Sequence, residues 1–336
     1  INEVKLAKNI VVGKTGTKNS VMQAGTSGTV TLNTGSTITS TSSAEFYGMT
    51  AGNFAGADGK TATAKNLGTL NIGGNKSLGM AVDVDDQGIN SGKINFSGTN
   101  GAGVYNTGTF TSSNTSEINV TGKNSIGAYN KGTLTVNGKV TTKADKTTGI
   151  FSEAGTVTNT GNITVGASDI SNELYSIAMA AGYIGDNTTP ATTGIIENNG
   201  TINVNGAYSI GMYGAGNGTT VTNNNDIVLN ANNTTGIYVE SNAKAINNGT
   251  IRTGASGLSN VNGVVLGVGS TLTNNGTINI SGNQSKGVLI KGGTIVNYGN
   301  ITVSGTGSKE TDSLNSTPTT KVLGSVTITA PAGATT

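Results

Sequence analysis

Few residues in this chain are equipped for chemistry. Asp83, Asp85 and Asp86, with Gly88 close behind, could present carboxylate oxygens to a calcium ion. The surrounding DVDDQG lacks the Gly-Gly-x-Gly-x-Asp nonapeptide array of calcium-loaded β-rolls, so the expectation is a solvated corner and no metal. The chain has no histidine and no cysteine, which removes Ser-His-Asp triads, thiol nucleophiles, disulfides and zinc sites. Arg252 is the sole arginine and is expected to stand alone, pointing outward from its strand. A calcium-assisted elimination would need clustered carboxylates beside a basic proton acceptor, and the acids here are scattered. The expectation is a non-enzyme with no cofactor.

Recognition chemistry is better represented. Tyr175 and Tyr183, two of nine tyrosines, fall with Ile184 and Asp186 in the segment ASDISNELYSIAMAAGYIGDNTTPATTG at 167–194. Tyrosine offers area and a hydroxyl at low entropic cost, so these four are the candidate partner-binding residues. A net charge of +2 gives no basic patch for nucleic acid. No apolar run approaches the ~18 residues of a membrane span.

The elements that must carry these residues are thin. Aromatics are only 4% of the chain while glycines number 53, so a core of large rings is out of reach and backbones must pack closely. Three prolines and 11% charged residues also argue against a disordered chain.

A repeat supplies the order. NNGTINVNGAYSIGMY at 198–213 is nearly rewritten as NNGTINISGNQSKGVLI at 274–290. An apolar anchor two places after the glycine of N-x-G recurs at Leu70, Ile94, Ile118, Val140, Ile163, Ile202, Ile227, Ile251, Ile278 and Ile301, roughly 24 residues apart except for the 39 between Ile163 and Ile202. Ile38 and Val326 extend the series, and Ile10 fits as a degenerate first copy. Each copy holds three short period-two alternations broken by Asn and Gly, such as TVTN at 220–223, Ile202 with Val204, and Gly211–Met212. No stretch has a sustained 3.6-residue pattern. Such copies cannot stack as hairpins but can coil, which predicts an all-β, right-handed parallel β-helix of about thirteen turns with three short strands per turn.

Asn33, Asn66, Asn90, Asn114, Asn159, Asn198, Asn223, Asn247, Asn274 and Asn297 align at one repeat position, with Val136 a departure. They are expected to form a structural ladder at a corner, tolerating left-handed backbone and bonding their stacked neighbours. Glycines two places on, such as Gly200 and Gly276, suit a positive φ or crowded backbones. A single β-helix over 1–336 is expected, with excursions near 50–65, 167–194 and 304–321, the last keeping its turn length but losing its third strand. Beginning at Ile1, the chain reads as a segment of something longer.

The phrase N-x-G-x-I-x-V-x-G-x-x-S-x-G, complete at 198–211 and nearly so at 274–287, resembles the passenger repeats of large type V autotransporter adhesins, with the nearest likeness to giant fusobacterial outer-membrane adhesins of the RadD-like type. The resemblance implies an extracellular, surface-exposed passenger. It also implies a monomer held to the membrane only through a C-terminal barrel outside this sequence. Its partner would be a protein or glycan receptor on host cells or other bacteria. The family offers no catalytic residues to carry over.

Overall fold

The computed structural model describes residues 3–12, 20–40, 45–169, 171, 175–186 and 190–314. Thirty-six short strands, three to a turn, make twelve turns of a right-handed parallel β-helix, with no α-helix among the described residues. The thirteenth turn expected around Val326 lies outside the described residues. The chain divides into two compact units, one up to Ile150 and one from Phe151.

In the first unit each strand pairs in parallel with its equivalent one turn away. Thr63–Asn66, Gln87–Asn90 and Thr109–Ser112 are neighbours in the first sheet. Thr69–Ile72, Lys93–Phe96 and Glu117–Val120 are neighbours in the second. Leu78–Val82, Ala102–Asn106 and Ile126–Asn130 are neighbours in the third. The second unit repeats the plan, with Ile202 paired to Ile163 on one side and to Ile227 on the other. Alternation in the sequence becomes alternation in burial: TINV at Thr201–Val204 buries Ile202 and Val204 and leaves Thr201 and Asn203 half-exposed. Ile94, Ile118, Ile163, Ile202, Ile227 and Ile251 are all essentially inaccessible to water. Each such side chain contributes roughly 1.5–3 kcal/mol over an exposed one.

The asparagine ladder is real but differs from expectation in two respects. Asn159, Asn198, Asn223, Asn247, Asn274 and Asn297 form an unbroken chain, each Nδ2 donating to the next Oδ1 at 2.7–2.9 Å. In this row of the first unit, among the described residues, only Asn66 and Asn90 are so joined, at 2.8 Å, and Ser112 and Val136 occupy the following positions. Asn33 and Asn114 are not members, since Leu32 and Ser112 hold that register. Nor are the ladder residues left-handed: each ends a strand, and the positive φ values lie elsewhere. The glycine beyond them answers to crowding, because a Cβ on Gly200 would come within 1.9 Å of the Gly161 carbonyl oxygen and one on Gly276 within 2.0 Å of the Gly249 oxygen.

The left-handed corner falls two residues before the third strand, at Lys76, Asn100, Asn124, Lys146, Tyr208, Asn233, Asn260 and Gln284. The residue after it is commonly a buried hydroxyl, as at Ser77, Ser125, Thr147, Ser209, Thr234 and Ser285, an inner row that the sequence reading missed. The polar stretch Lys309–Ser313 also forms a third strand, pairing Lys286 with Lys309 and Val288 with Thr311, so the strand loss expected after 304 is corrected. Backbone pairing supplies this strand without apolar residues. Residues 315–321 of that excursion lie outside the described residues.

Candidate functional site

The excursion at 167–194 has two limbs on either side of the third strand Ile177–Ala181. The first limb is closed by Ser168. Its Oγ accepts the Ser176 amide at 2.7 Å and donates to the Tyr208 carbonyl at 3.0 Å, while its amide donates to the Ala207 carbonyl at 3.1 Å. Ser176 Oγ in turn donates to the Ala167 carbonyl at 3.0 Å. This closure docks the limb on the corner of the next turn and brings half-buried Tyr175 and Tyr208 to one cleft.

The cleft has a volume of about 280 Å³ and lies along the third-strand sheet of the second unit. Tyr175, Tyr208 and Tyr238 give it aromatic walls, and Asn233, Thr235, Asn262 and Lys291 add polar groups. Ile210, Val265 and Leu289 complete the lining. Register explains the assembly: Ile210, Thr235 and Asn262 form one row across adjacent turns, and Tyr238, Val265 and Leu289 another. Tyr208 stands where Tyr175 stands one turn earlier, and its backbone is left-handed. Its φ of 60° is the corner geometry that Asn100, Asn124 and Asn260 hold in other turns, an arrangement unusual for a bulky side chain.

Behind Tyr238 sits a buried carboxylate. Tyr213 Oη donates to Glu240 Oε1 at 2.5 Å, and Tyr238 Oη approaches Oε2 at 3.5 Å. The Tyr213 and Tyr238 rings meet edge-on with centroids 5.8 Å apart. Burial raises the Glu240 pKa, tempered by the two hydroxyls and by the charge of Lys291. Burial also raises the Tyr213 and Tyr238 phenols, reinforced by the neighbouring Glu240 charge. The two phenols, raised above the ordinary tyrosine range, therefore stay protonated through the neutral range.

Of the four residues expected to bind a partner, only Tyr175 reaches this cleft. Tyr183, Ile184 and Asp186 occupy the second limb, where Tyr183 and Thr192 exchange backbone bonds at 3.2 and 2.9 Å. The Tyr183 hydroxyl donates to the Asp186 carboxylate, which raises the phenol pKa. Ile184 is 44% exposed. Tyr208, Tyr238, Asn233 and Asn262 were missed. Aligning the turns by position would have marked Tyr208 together with Tyr175, because these two successive turns carry an aromatic where others carry Asn, Lys or Gln.

The acidic run of the first unit does different work from that considered in the sequence. Asp86 Oδ1 accepts the Ala62 amide at 2.6 Å and Asp85 Oδ2 accepts the Gly59 amide at 3.3 Å. Asp83 is held by backbone bonds from Val84 and Phe54. Three carboxylates thus strap the 52–62 excursion to its coil; Asp83 and Asp86 are buried, while Asp85 lies exposed at the corner as expected. Burial lifts the Asp86 pKa to about 6, with Asp83 the nearest like charge. Among the described residues, no three acidic side chains are placed to hold a metal. Arg252 is not alone as expected. It grips Asp226, one turn earlier, through Nε at 3.1 Å and Nη2 at 2.8 Å.

Three sheets coiling around stacked aliphatic residues, with local excursions carrying the irregular side chains, define a parallel β-helix of the pectate lyase-like class. The chain belongs to the family described as the BigA third pectate lyase-like domain, whose model matches residues 20–240. That membership points to a bacterial surface protein. No curated protein and no solved structure matches the chain.

Proposed function

We propose that this chain is an adhesive segment of a bacterial surface passenger, of the large autotransporter kind and RadD-like in its repeats. It acts by binding rather than by catalysis, engaging a protein or glycan receptor on host cells or other bacteria as an extracellular monomer. The observation that carries the reading is the excursion at 167–194, which departs from the repeat and ends in a tyrosine-lined cleft. A uniform coil offers the same face at every turn and gives no unique docking point; departures from it do. The family membership supports the surface location. A second reading, a spacer that extends a distant tip, is favoured by the regularity of the remaining turns.

Binding of the fluorescently labelled chain to epithelial and bacterial cells separates the two. Adhesion requires saturable binding that excess unlabelled chain displaces, whereas a spacer gives only a linear background.

A further inference from the structure

The cleft carries more chemical detail than the adhesive reading requires. We infer that it is a subsite for a single pyranose ring, an assignment that rests on the adhesive reading and specifies its ligand. A pyranose is two-sided, with an apolar C–H face and a rim of hydroxyls that donate and accept. The lining is divided in the same way. Tyr175, Tyr208 and Tyr238 line it with ring surface suited to the apolar face, the Tyr238 hydroxyl being turned toward Glu240. Asn233 and Asn262 each offer an acceptor and two donors, Thr235 a hydroxyl that does both, and Lys291 further donors. Lys291 lines the cleft with its side chain outside any ion pair among the described residues, and its charge also acts on Glu240.

Size and backbone geometry exclude the main competitor. A volume of about 280 Å³ is at the small end of ligand pockets, which run from roughly 300 to 1,000 Å³. A peptide would best bind by adding a strand to an open edge. The strands beneath the cleft, Thr235–Glu240 and Asn262–Leu266, are paired on both sides and have no free edge. Recognition must therefore come from side chains.

Tyr208 gives the assignment its sharpest support. An aromatic residue is held left-handed where asparagine serves in other turns, and such strain gathers at binding sites. It also supplies a clean variant. Tyr208→Asn installs the residue that makes this corner at Asn100, Asn124 and Asn260, so the turn keeps its geometry while the platform is lost.

The test uses the full chain and a panel of methyl glycosides of galactose, glucose, mannose, fucose, N-acetylglucosamine and N-acetylgalactosamine, read by saturation-transfer NMR, with cell binding measured in parallel. At least one glycoside should show transfer, and Tyr208→Asn should weaken it about tenfold or more with melting unchanged. Asn262→Ala, which leaves the corner untouched, should weaken it as well. The assignment is overturned if no glycoside responds, or if both variants bind the responding sugar as the parent does. Cell binding without any glycoside response removes the pyranose subsite and leaves the adhesive reading. A glycoside response without cell binding removes the adhesive reading alone.

Discussion

Asn247 and Asn248 are adjacent, carry the same amide, and each bridges two stacked amides, yet they should differ widely in worth. Asn247 is fully buried. Its Oδ1 accepts from Asn223 at 2.9 Å and its Nδ2 donates to Asn274 at 2.7 Å. Asn247→Ala leaves Asn274 Oδ1 without its donor, while Asn223 Nδ2 keeps the Asn225 carbonyl at 2.8 Å. Losing two good bonds at about 1 kcal/mol each, plus orphaning one buried acceptor at about 1–3 kcal/mol, gives an expected cost of roughly 3–5 kcal/mol. Asn248 is exposed, donating to Asn224 and accepting from Asn275, both at 2.8 Å. Water replaces those partners when it is removed, so Asn248→Ala should cost under about 1 kcal/mol. Urea titration followed by far-UV circular dichroism reads both from the midpoint shift at constant slope. The fold itself should survive, because Val136 and Ser112 fill the same row without an amide. Equal losses for the two variants would refute the argument, since burial and not bond count is what distinguishes them.

Three further outcomes follow from the same packing. Ile202→Asp places a carboxylate between Ile163 and Ile227 and should cost about 3 kcal/mol or more in a melt, whereas half-exposed Asn203→Asp should be nearly silent; matching losses would mean the facing is wrong. Gly276→Ala must push a methyl against a backbone oxygen 2.0 Å away and should lower the midpoint strongly, while Asn275→Ala next to it, on the exposed ladder, should hardly move it. Asp86 has a folded-state pKa raised to about 6, so the folded chain holds that proton more tightly than the unfolded chain. Its stability contribution is then lost as pH rises from about 4 to about 6, and Asp86→Asn should melt higher than the parent near pH 7.5 with the gap closing near pH 4. A gap that stays constant across that range would contradict it.

The coil was legible because its signal is repeated. Period-two alternation at Ile94, Ile118 and Ile202 is the same statement made several times, and parallel stacking turns each copy into a constraint on the next. The corners were less legible. Asn was assigned to the left-handed position on propensity, but the ladder asparagines are extended strand ends selected for amide stacking, and the left-handed position tolerates Lys, Gln and Tyr as well. The run Asp83, Asp85 and Asp86 brought calcium into consideration because sequence shows carboxylates and not the backbone amides that Asp85 and Asp86 accept. The candidate cleft was half visible. Tyr175 and Tyr183 stood out as tyrosines in an excursion, but Tyr208 and Tyr238 are hidden in regular turns and join Tyr175 only through register and the Ser168 closure.

The central claim is that partners dock where the coil departs from its repeat. Hydroxyl-radical footprinting of the chain bound to cells, compared with the free chain, tests it without any substitution. The account predicts protection concentrated at Tyr175, Tyr208 and Tyr183. Protection spread instead along the amide ladder of Asn71, Asn95 and Asn119, with the tyrosines as reactive as in the free chain, would contradict it.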